Sequence, residues 1–564
     1  MRYCQILFSF SFFFSVLFAG NLSAQYRRPM DIPLYLSGNF GELRNNHFHS
    51  GIDMKTQVVD RTVYCVSDGY ISRIYVSPSG YGRALYITHP QTGQVSVYGH
   101  LNSFIPKVAE YVREKQYEQE SFRVDLFLEK NRFAVKKGEI VAYSGNAGSS
   151  GGPHLHFEIR DEKTENIIDP LPYMQAYIAD NVAPEIRGIA IYPAQGEGAV
   201  NGSSNPLQQT VSKTKKGAYT ALKTPVKAWG KIGVAVKAYD RMTGTSNIYG
   251  VKRIRLYADG KKVFESNIHS FSFDESPMLN SLIDFDSWRR NKSFFMKSFV
   301  EPGNRLPFYE TANGGYILIN QERTYKLRYE LSDAYGNTAT YDFDITGQRQ
   351  TIPPAGKGDA YMTWNKENRY SSGGFSLLIP GGNMYDNFTL TVRQTPSQSY
   401  FSDVYSVNDK YIPFRNKAEM RIQITQDILR NKAQYGIVSI TNGKESWTGG
   451  TYENGWMKVE VKEIGQRMAV SADSESPVIT PVQPEKWESE QIIRLKLSDD
   501  KSGIASFKGT IDGKFALFEH DVKSPVYSYK FDPQRLKRGK THQLFFTAAD
   551  ACGNTAEYKA EMMY

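Results

Sequence analysis

Residues 149–159 read Ser149-Ser-Gly-Gly152-Pro-His154-Leu-His156-Phe-Glu158-Ile, and from His154 onward polar and apolar side chains alternate. Alternation with period two is the signature of a β-strand with one buried face. His154 and His156 therefore project from the same side of that strand. The same period recurs far away. In Lys326-Leu-Arg-Tyr-Glu-Leu331 the apolar residues fall at 327, 329 and 331, and in Ile493-Arg-Leu-Lys-Leu497 at 493, 495 and 497. Aromatic residues make up 13% of the chain, with 37 Tyr and 32 Phe, both strand-favouring types. The fold class this predicts is mainly β.

A chain of 564 residues is too long for one hydrophobic core, and at roughly 150 residues per domain it holds three or four. With 40% hydrophobic and 23% charged residues it is neither a disordered chain nor a polytopic membrane protein. The net charge of +9 is compatible with an anionic partner without diagnosing one.

Arg2, the apolar run Ile6–Ala19 and the small Ala24 before Gln25 read as a secretory signal over residues 1–24. A spanning helix needs about 20 apolar residues, so no transmembrane anchor is expected once the leader is removed. Only Cys65 and Cys552 remain beyond the leader, too few for a disulfide framework.

Two stretches repeat each other. Asp180-Asn-Val-Ala-Pro184-Glu-Ile186 matches Asp473-Ser-Glu-Ser-Pro477-Val-Ile479, and each stretch ends on a near-identical turn, Asp333-Ala-Tyr-Gly336-Asn337 and Asp550-Ala-Cys-Gly553-Asn554. Alternating runs ahead of Gly-Asn turns suggest β-sandwiches. The expected organisation is a first domain over 25–180, an immunoglobulin-like sandwich with insertions over 181–347, a further β domain over 348–470 behind the Pro- and Gly-rich linker 351–358, and a second immunoglobulin-like sandwich over 471–564. The stretch Val211–Tyr239 holds seven Lys and no acid, which reads as a solvated strand face. Nothing interleaves Arg with aromatics as a nucleic-acid platform does, so no nucleic-acid partner is expected.

The chemistry concentrates early. Six of the nine histidines lie within residues 47–156. The segment contains His47-Phe-His49-Ser-Gly51-Ile-Asp53, then Tyr98-Gly-His100-Leu-Asn102, then the His154-Leu-His156 strand. His49 and Asp53 are four apart, with Gly51 allowing a bend between them. Two imidazoles and a carboxylate are ligands of the right type for Zn²⁺ and leave a fourth tetrahedral position for water, the mark of a catalytic rather than a structural ion. His47 shares the parity of His49 and is a rival ligand. His89, before Pro90, reads as a strand-end residue, and Glu158 as a structural or outer partner of His156. Gly148-Ser-Ser150-Gly-Gly152 fits G-x-S-x-G formally, but a strand follows where a helix is required. The sequence has no H-E-x-x-H.

In this order the motifs H-x-x-x-D, G-H-L and H-x-H resemble those of the lysostaphin/LytM-type zinc metallopeptidases. The resemblance covers about residues 35–175, including Val135-Lys-Lys-Gly138-Glu-Ile-Val-Ala-Tyr-Ser-Gly145. It implies an antiparallel β-sheet metallopeptidase domain with one zinc ion bound by His49, Asp53 and His156, and His100 and His154 as the unliganded catalytic pair. It further implies an exported endopeptidase of the periplasm or cell envelope acting on peptidoglycan peptides, with wall or envelope proteins as partners for the β domains. Two alternatives stand beside it: a non-catalytic wall-binding or enzyme-activating protein of the same fold, and a protease of exported proteins. Residues 103–134 depart from the family, which has a short connection there. Within them Ile105–Glu118, with Val108, Tyr111 and Val112 among charges, is expected to form a short amphipathic helix beside the groove.

Overall fold

The computed structural model describes residues 26–130, 132–215 and 217–564. The expected leader lies outside them. The chain is mainly β, and nearly all of its strand pairings are antiparallel.

The N-terminal part contains β1 (Leu36–Gly38), β2 (Ile52–Lys55), β3 (Thr62–Tyr64), β4 (Gly69–Val76), β5 (Arg83–His89), β6 (Gln94–Gly99) and β7 (Leu101–Phe104). It continues with α1 (Pro106–Glu118), β8 (Val124–Phe127), β9 (Ala134–Val135), β10 (Ile140–Ser144), β11 (His154–Asp161) and β12 (Ile167–Ile168). The main sheet runs β1-β2-β11-β6-β5-β4-β8, and a smaller one runs β3-β10-β7. The alternating stretch forms β11, inside the main sheet between β2 and β6. Leu155, Phe157 and Ile159 point into a core shared with Ile52, Met54 and Tyr98. The polar residues of the same strand occupy its other face. Alternation thus separates core from chemistry on one strand.

The expected helix is α1, one residue shorter at its start. Pro106 opens it, where a missing N–H costs nothing, and Val108 and Val112 bury one face. The insertion carrying it reaches the C-terminal sandwich. Tyr117 meets Phe515 edge-on at 5.8 Å, Arg535 lies 3.4 Å above the Tyr117 ring, and Glu120 pairs with Lys508 at 2.7 Å.

Strands from Glu185–Val200 to Thr338–Gly347 enclose a second core, from Ile186 to Ile345. Two five-stranded sheets enclose a third, from Met362 to Val470. A three-stranded and a four-stranded sheet enclose the last, from Trp487 to Met562. The runs singled out for their alternation form the strands Thr324–Ser332 and Ile492–Ser498. The two repeat turns have the same geometry. Asp333 Oδ1 accepts the amides of Tyr335 and Asn337, both at 2.8 Å, and Asp550 Oδ1 accepts those of Cys552 and Asn554 at 2.8 and 2.9 Å. Cys65 and Cys552 are both buried and unbridged.

The second part of the chain also completes the first. The strand Ser270–Phe271 pairs with β12. Phe271 packs on Phe40 and Phe48, each with ring centroids 5.2 Å apart. Among the described residues no helix is long and apolar enough to cross a membrane.

Candidate metal centre

Register sets the centre. On β11, His156 stands opposite Asp53 of β2 on one side and Gly99 of β6 on the other. Directly opposed residues share a face with their Cβ atoms about 5 Å apart, so the pairing brings imidazole and carboxylate together. His49 arrives from the loop before β2. Gly51 lets that loop close in, because a Cβ there would lie 2.3 Å from the Phe157 carbonyl oxygen.

The three side chains converge. His49 Nε2 lies 3.1 Å from Asp53 Oδ1 and 3.1 Å from His156 Nδ1, and His156 Nδ1 lies 2.9 Å from Asp53 Oδ1. Bonds of about 2.0–2.1 Å to a tetrahedral Zn²⁺ would separate such donors by roughly 3.3 Å, close to these edges. Outer hydrogen bonds decide which nitrogens point inward. His49 Nδ1 donates to the Asn39 carbonyl at 2.7 Å, and His156 Nε2 donates to Glu158 Oε1 at 2.8 Å. In neutral rings the two facing nitrogens are then both lone-pair atoms, 3.1 Å apart beside a carboxylate. Such a set of acceptors calls for a cation, so the donors fit a divalent metal. His49, Asp53 and His156 are all buried.

Without a metal, a proton takes the cation's part. Burial alone would lower the His156 pKa, but hydrogen bonds and charge from Asp53 and Glu158 outweigh it and hold it up at about 9. Burial would likewise raise Asp53, yet His49, His154 and His156 hold its carboxyl well below the usual range. Arg44 secures the other oxygen of Asp53 at 3.2 Å.

The two further histidines flank this cluster. The His100 ring is 4.7 Å from that of His154 and 5.8 Å from that of His156. His100 adopts φ 57°, a left-handed conformation uncommon outside glycine, at the corner between β6 and β7. Its Nδ1 donates to the Ala147 carbonyl at 2.7 Å, leaving Nε2 as the lone-pair nitrogen. Burial, with His156 and His154 close by, lowers its pKa to about 3. His154 Nδ1 donates to the Gly152 carbonyl at 2.8 Å, and its Nε2 lies 3.3 Å from Asp53 Oδ1. Two imidazoles thus present lone-pair nitrogens beside the three converging donors.

The rivals stand apart. His47 bonds the Asn45 carbonyl on the rim, outside the donor cluster. His89 ends β5, fully buried, between the Asp68 carbonyl and the Ser96 hydroxyl. The Ser150 hydroxyl donates to the Gly152 carbonyl, and β11 follows without a helix.

Glu158 has a larger part than its strand parity alone suggested. Its Oε1 accepts from Ser50 and Tyr81, both at 2.6 Å, as well as from His156, and its Oε2 accepts from Arg160 at 2.7 Å. Arg160 was visible as the next same-face residue of the strand. Tyr81 and Ser50 carried no sequence signal, since they reach Glu158 only through the tertiary fold. A cleft of about 770 Å³ between Tyr192, Asp284 and Tyr411 contains none of these residues.

Comparison with known proteins gives three kinds of match. The Zu5-like domain family matches residues 359–473. An uncharacterized metalloprotease of Haemophilus influenzae is 30% identical over 110 residues, which is 20% of this chain and 18% of that protein. The chain thus spans under a fifth of that relative's length. The catalytic domain of the antimicrobial peptidase lysostaphin from Staphylococcus simulans aligns at 21% identity and TM-score 0.19, over 25% of this chain and 92% of the other. A zinc-containing peptidase from Vibrio cholerae aligns at 24% identity and TM-score 0.19, over 25% and 37% respectively. Through its motifs H-x-x-x-D, G-H-L and H-x-H, the N-terminal part of the chain resembles the lysostaphin/LytM-type peptidases.

Proposed function

We propose that this chain is an exported zinc endopeptidase that hydrolyses peptide cross-links of bacterial peptidoglycan. The observation that carries the reading is the convergence of His49 Nε2, Asp53 Oδ1 and His156 Nδ1 within 3.1 Å of one another, with both tautomers fixed from outside. The five motif positions, the leader and the resemblance support the substrate and the location.

Zinc bound by these three residues would supply a polarising charge and a water acidified from about pKa 15.7 to about 7. The chain supplies the rest. Glu158 and the Asn39 carbonyl keep the ligand rings turned inward. His100, its Nδ1 tied to the Ala147 carbonyl, turns the Nε2 lone pair toward the cluster, where it can accept a proton and return it to the leaving amine. The His154 ring, anchored through Nδ1 at Gly152, stands on the same side of the cluster; its Nε2 can share the proton, and once protonated it can donate to charge developing on the scissile carbonyl oxygen.

The test is incubation of purified sacculi, and separately casein, with the zinc-loaded protein, with and without chelator. Soluble muropeptides released only with zinc are expected. Peptides from casein alone would make it a protease of exported proteins, and silence on both substrates would make it a non-catalytic wall protein.

A further inference from the structure

The internal repeat has a purpose that the peptidase reading does not use. In the first copy it gathers three carboxylates: Asp180 from the entering segment, Asp240 directly after the strand Lys227–Tyr239, and Asp333 from the Gly-Asn turn. One ligand oxygen of each lies within 4.8 Å of the others. Among the described residues no Lys or Arg forms a salt bridge with any of the three.

What sets this cluster apart from an ordinary acidic patch is unmet bonding. Asp240 is only 3% exposed, and its Oδ1 is buried without a hydrogen-bond partner. Asp180 Oδ2 is orphaned in the same way. An unpaired buried carboxylate oxygen is costly, and two of them beside a third carboxylate are costlier still. The remaining oxygens are tied down. Asp180 Oδ1 accepts from the amides of Val182 and Thr243 at 3.1 and 3.0 Å, and Asp333 is held by its own turn and by Asn337 Nδ2 at 2.6 Å. Two oxygens thus stay unmet while the bonds to Asp180 Oδ1 and Asp333 hold their carboxylates in place. Asp180 is part-exposed, which leaves a way in from solvent.

We propose that Asp180, Asp240 and Asp333 bind a hard divalent cation of the calcium class. Three carboxylates and no imidazole or thiolate suit an oxygen-seeking ion, and their irregular arrangement suits Ca²⁺ better than the strict octahedron of Mg²⁺. The place gives the ion a task. Tyr249, bridged to Asp240, and Met242, two residues after it, belong to the core of the N-terminal part, and Gln175 Nε2 donates to the Ala334 carbonyl of the turn at 3.2 Å. The ion fixes the seam between the peptidase part and the sandwich behind it.

The second copy serves as an internal control. Asp473, Asp499 and Asp550 are gathered within the same 4.8 Å, but Asp473 Oδ2 accepts the Ser502 amide and Asp499 Oδ2 the Gly503 amide, and none of their oxygens is buried without a partner.

The experiment uses the full chain, stripped of metal and reloaded with one equivalent of zinc. CaCl₂, and in parallel MgCl₂, is titrated by calorimetry while the thermal midpoint is followed. Ca²⁺ should bind and raise the midpoint progressively with its concentration, Mg²⁺ should bind more weakly, and Asp240→Asn should weaken Ca²⁺ binding by at least about tenfold while Asp499→Asn does not. Absence of Ca²⁺ binding to the unsubstituted chain overturns the proposal. So does Ca²⁺ affinity unchanged in Asp240→Asn, or, should that variant fail to fold, unchanged in Asp180→Asn. An equal response to Mg²⁺ overturns the assignment of ion class.

Discussion

Glu158 shows how much one buried residue can govern. It orients the His156 ring, receives Ser50 and Tyr81, and neutralises the buried Arg160. Replacing it by Gln keeps the shape but removes the charge. Outer partners of metal-bound imidazoles typically carry 10–100-fold in metal affinity, so Glu158→Gln should weaken zinc binding by about that factor. It also leaves buried Arg160 with only the Glu165 carboxylate at 4.0 Å, which should cost up to about 3–5 kcal/mol. Competition against a chromophoric chelator measures the first effect, and an unchanged zinc affinity would leave Glu158 with a folding role alone. A second outcome concerns protons. In the metal-free protein His156 is held at about 9, so at pH 7 it carries a proton that zinc must displace. Zinc binding at pH 7 should release about one proton, and apparent affinity should climb about tenfold per pH unit up to about pH 9, then level off. Calorimetry in buffers of different ionisation enthalpy reads the released proton directly, and no dependence on the buffer would refute the assignment.

Elements matter through what stands behind them. Phe48, between His47 and His49, packs on Phe271 and Phe308, which belong to a segment more than two hundred residues downstream, and its amide donates to the Ser276 hydroxyl at 2.9 Å. That segment buttresses the loop bearing His49. Phe271→Ala should destabilise the protein by about 3–5 kcal/mol and also weaken zinc binding. Phe343→Ala, in the core of the following sandwich, should lower stability while sparing zinc affinity. Equal zinc affinity in both variants would separate that segment from the site. The contrast also marks what a sequence can disclose. His154, His156 and the β11 strand were readable because alternation is a local pattern, and His49 and Asp53 because four residues bridge one bend. The pairing of His156 with Asp53 depends on which strands become neighbours, and the approach of Phe271 to Phe48 on contacts with no local period. Neither leaves a trace in spacing. The insertion after His100 was legible as a helix but not in its destination, since Tyr117 meets Phe515 only once both units have folded.

At the scale of the molecule, the C-terminal sandwich touches the N-terminal part at the segment that leads into β11. Asp521 Oδ2 accepts the Gly148 amide at 2.9 Å, Lys523 Nζ donates to the Asn146 carbonyl at 2.7 Å and to the Gly148 carbonyl, and the Val522 amide donates to the Pro78 carbonyl at 2.9 Å. Between the two held residues lies Ala147, whose carbonyl fixes the His100 tautomer. A loop some 370 residues away in the chain therefore sets the position of a candidate proton carrier. Hydrogen bonds to charged side chains contribute about 1.5–3 kcal/mol each, enough to order a short glycine-rich segment but not to hold up the domain. Replacing Asp521 by Asn and Lys523 by Ala together should accelerate amide exchange across residues 145–150 and lower kcat on sacculi several-fold. Zinc content and the thermal midpoint of the peptidase part should stay near those of the unsubstituted protein, because no metal ligand and no core residue is touched. Unaltered exchange in that segment would show that the sandwich merely rests there. Faster exchange with undiminished kcat would show that His100 holds its place without Ala147 being clasped.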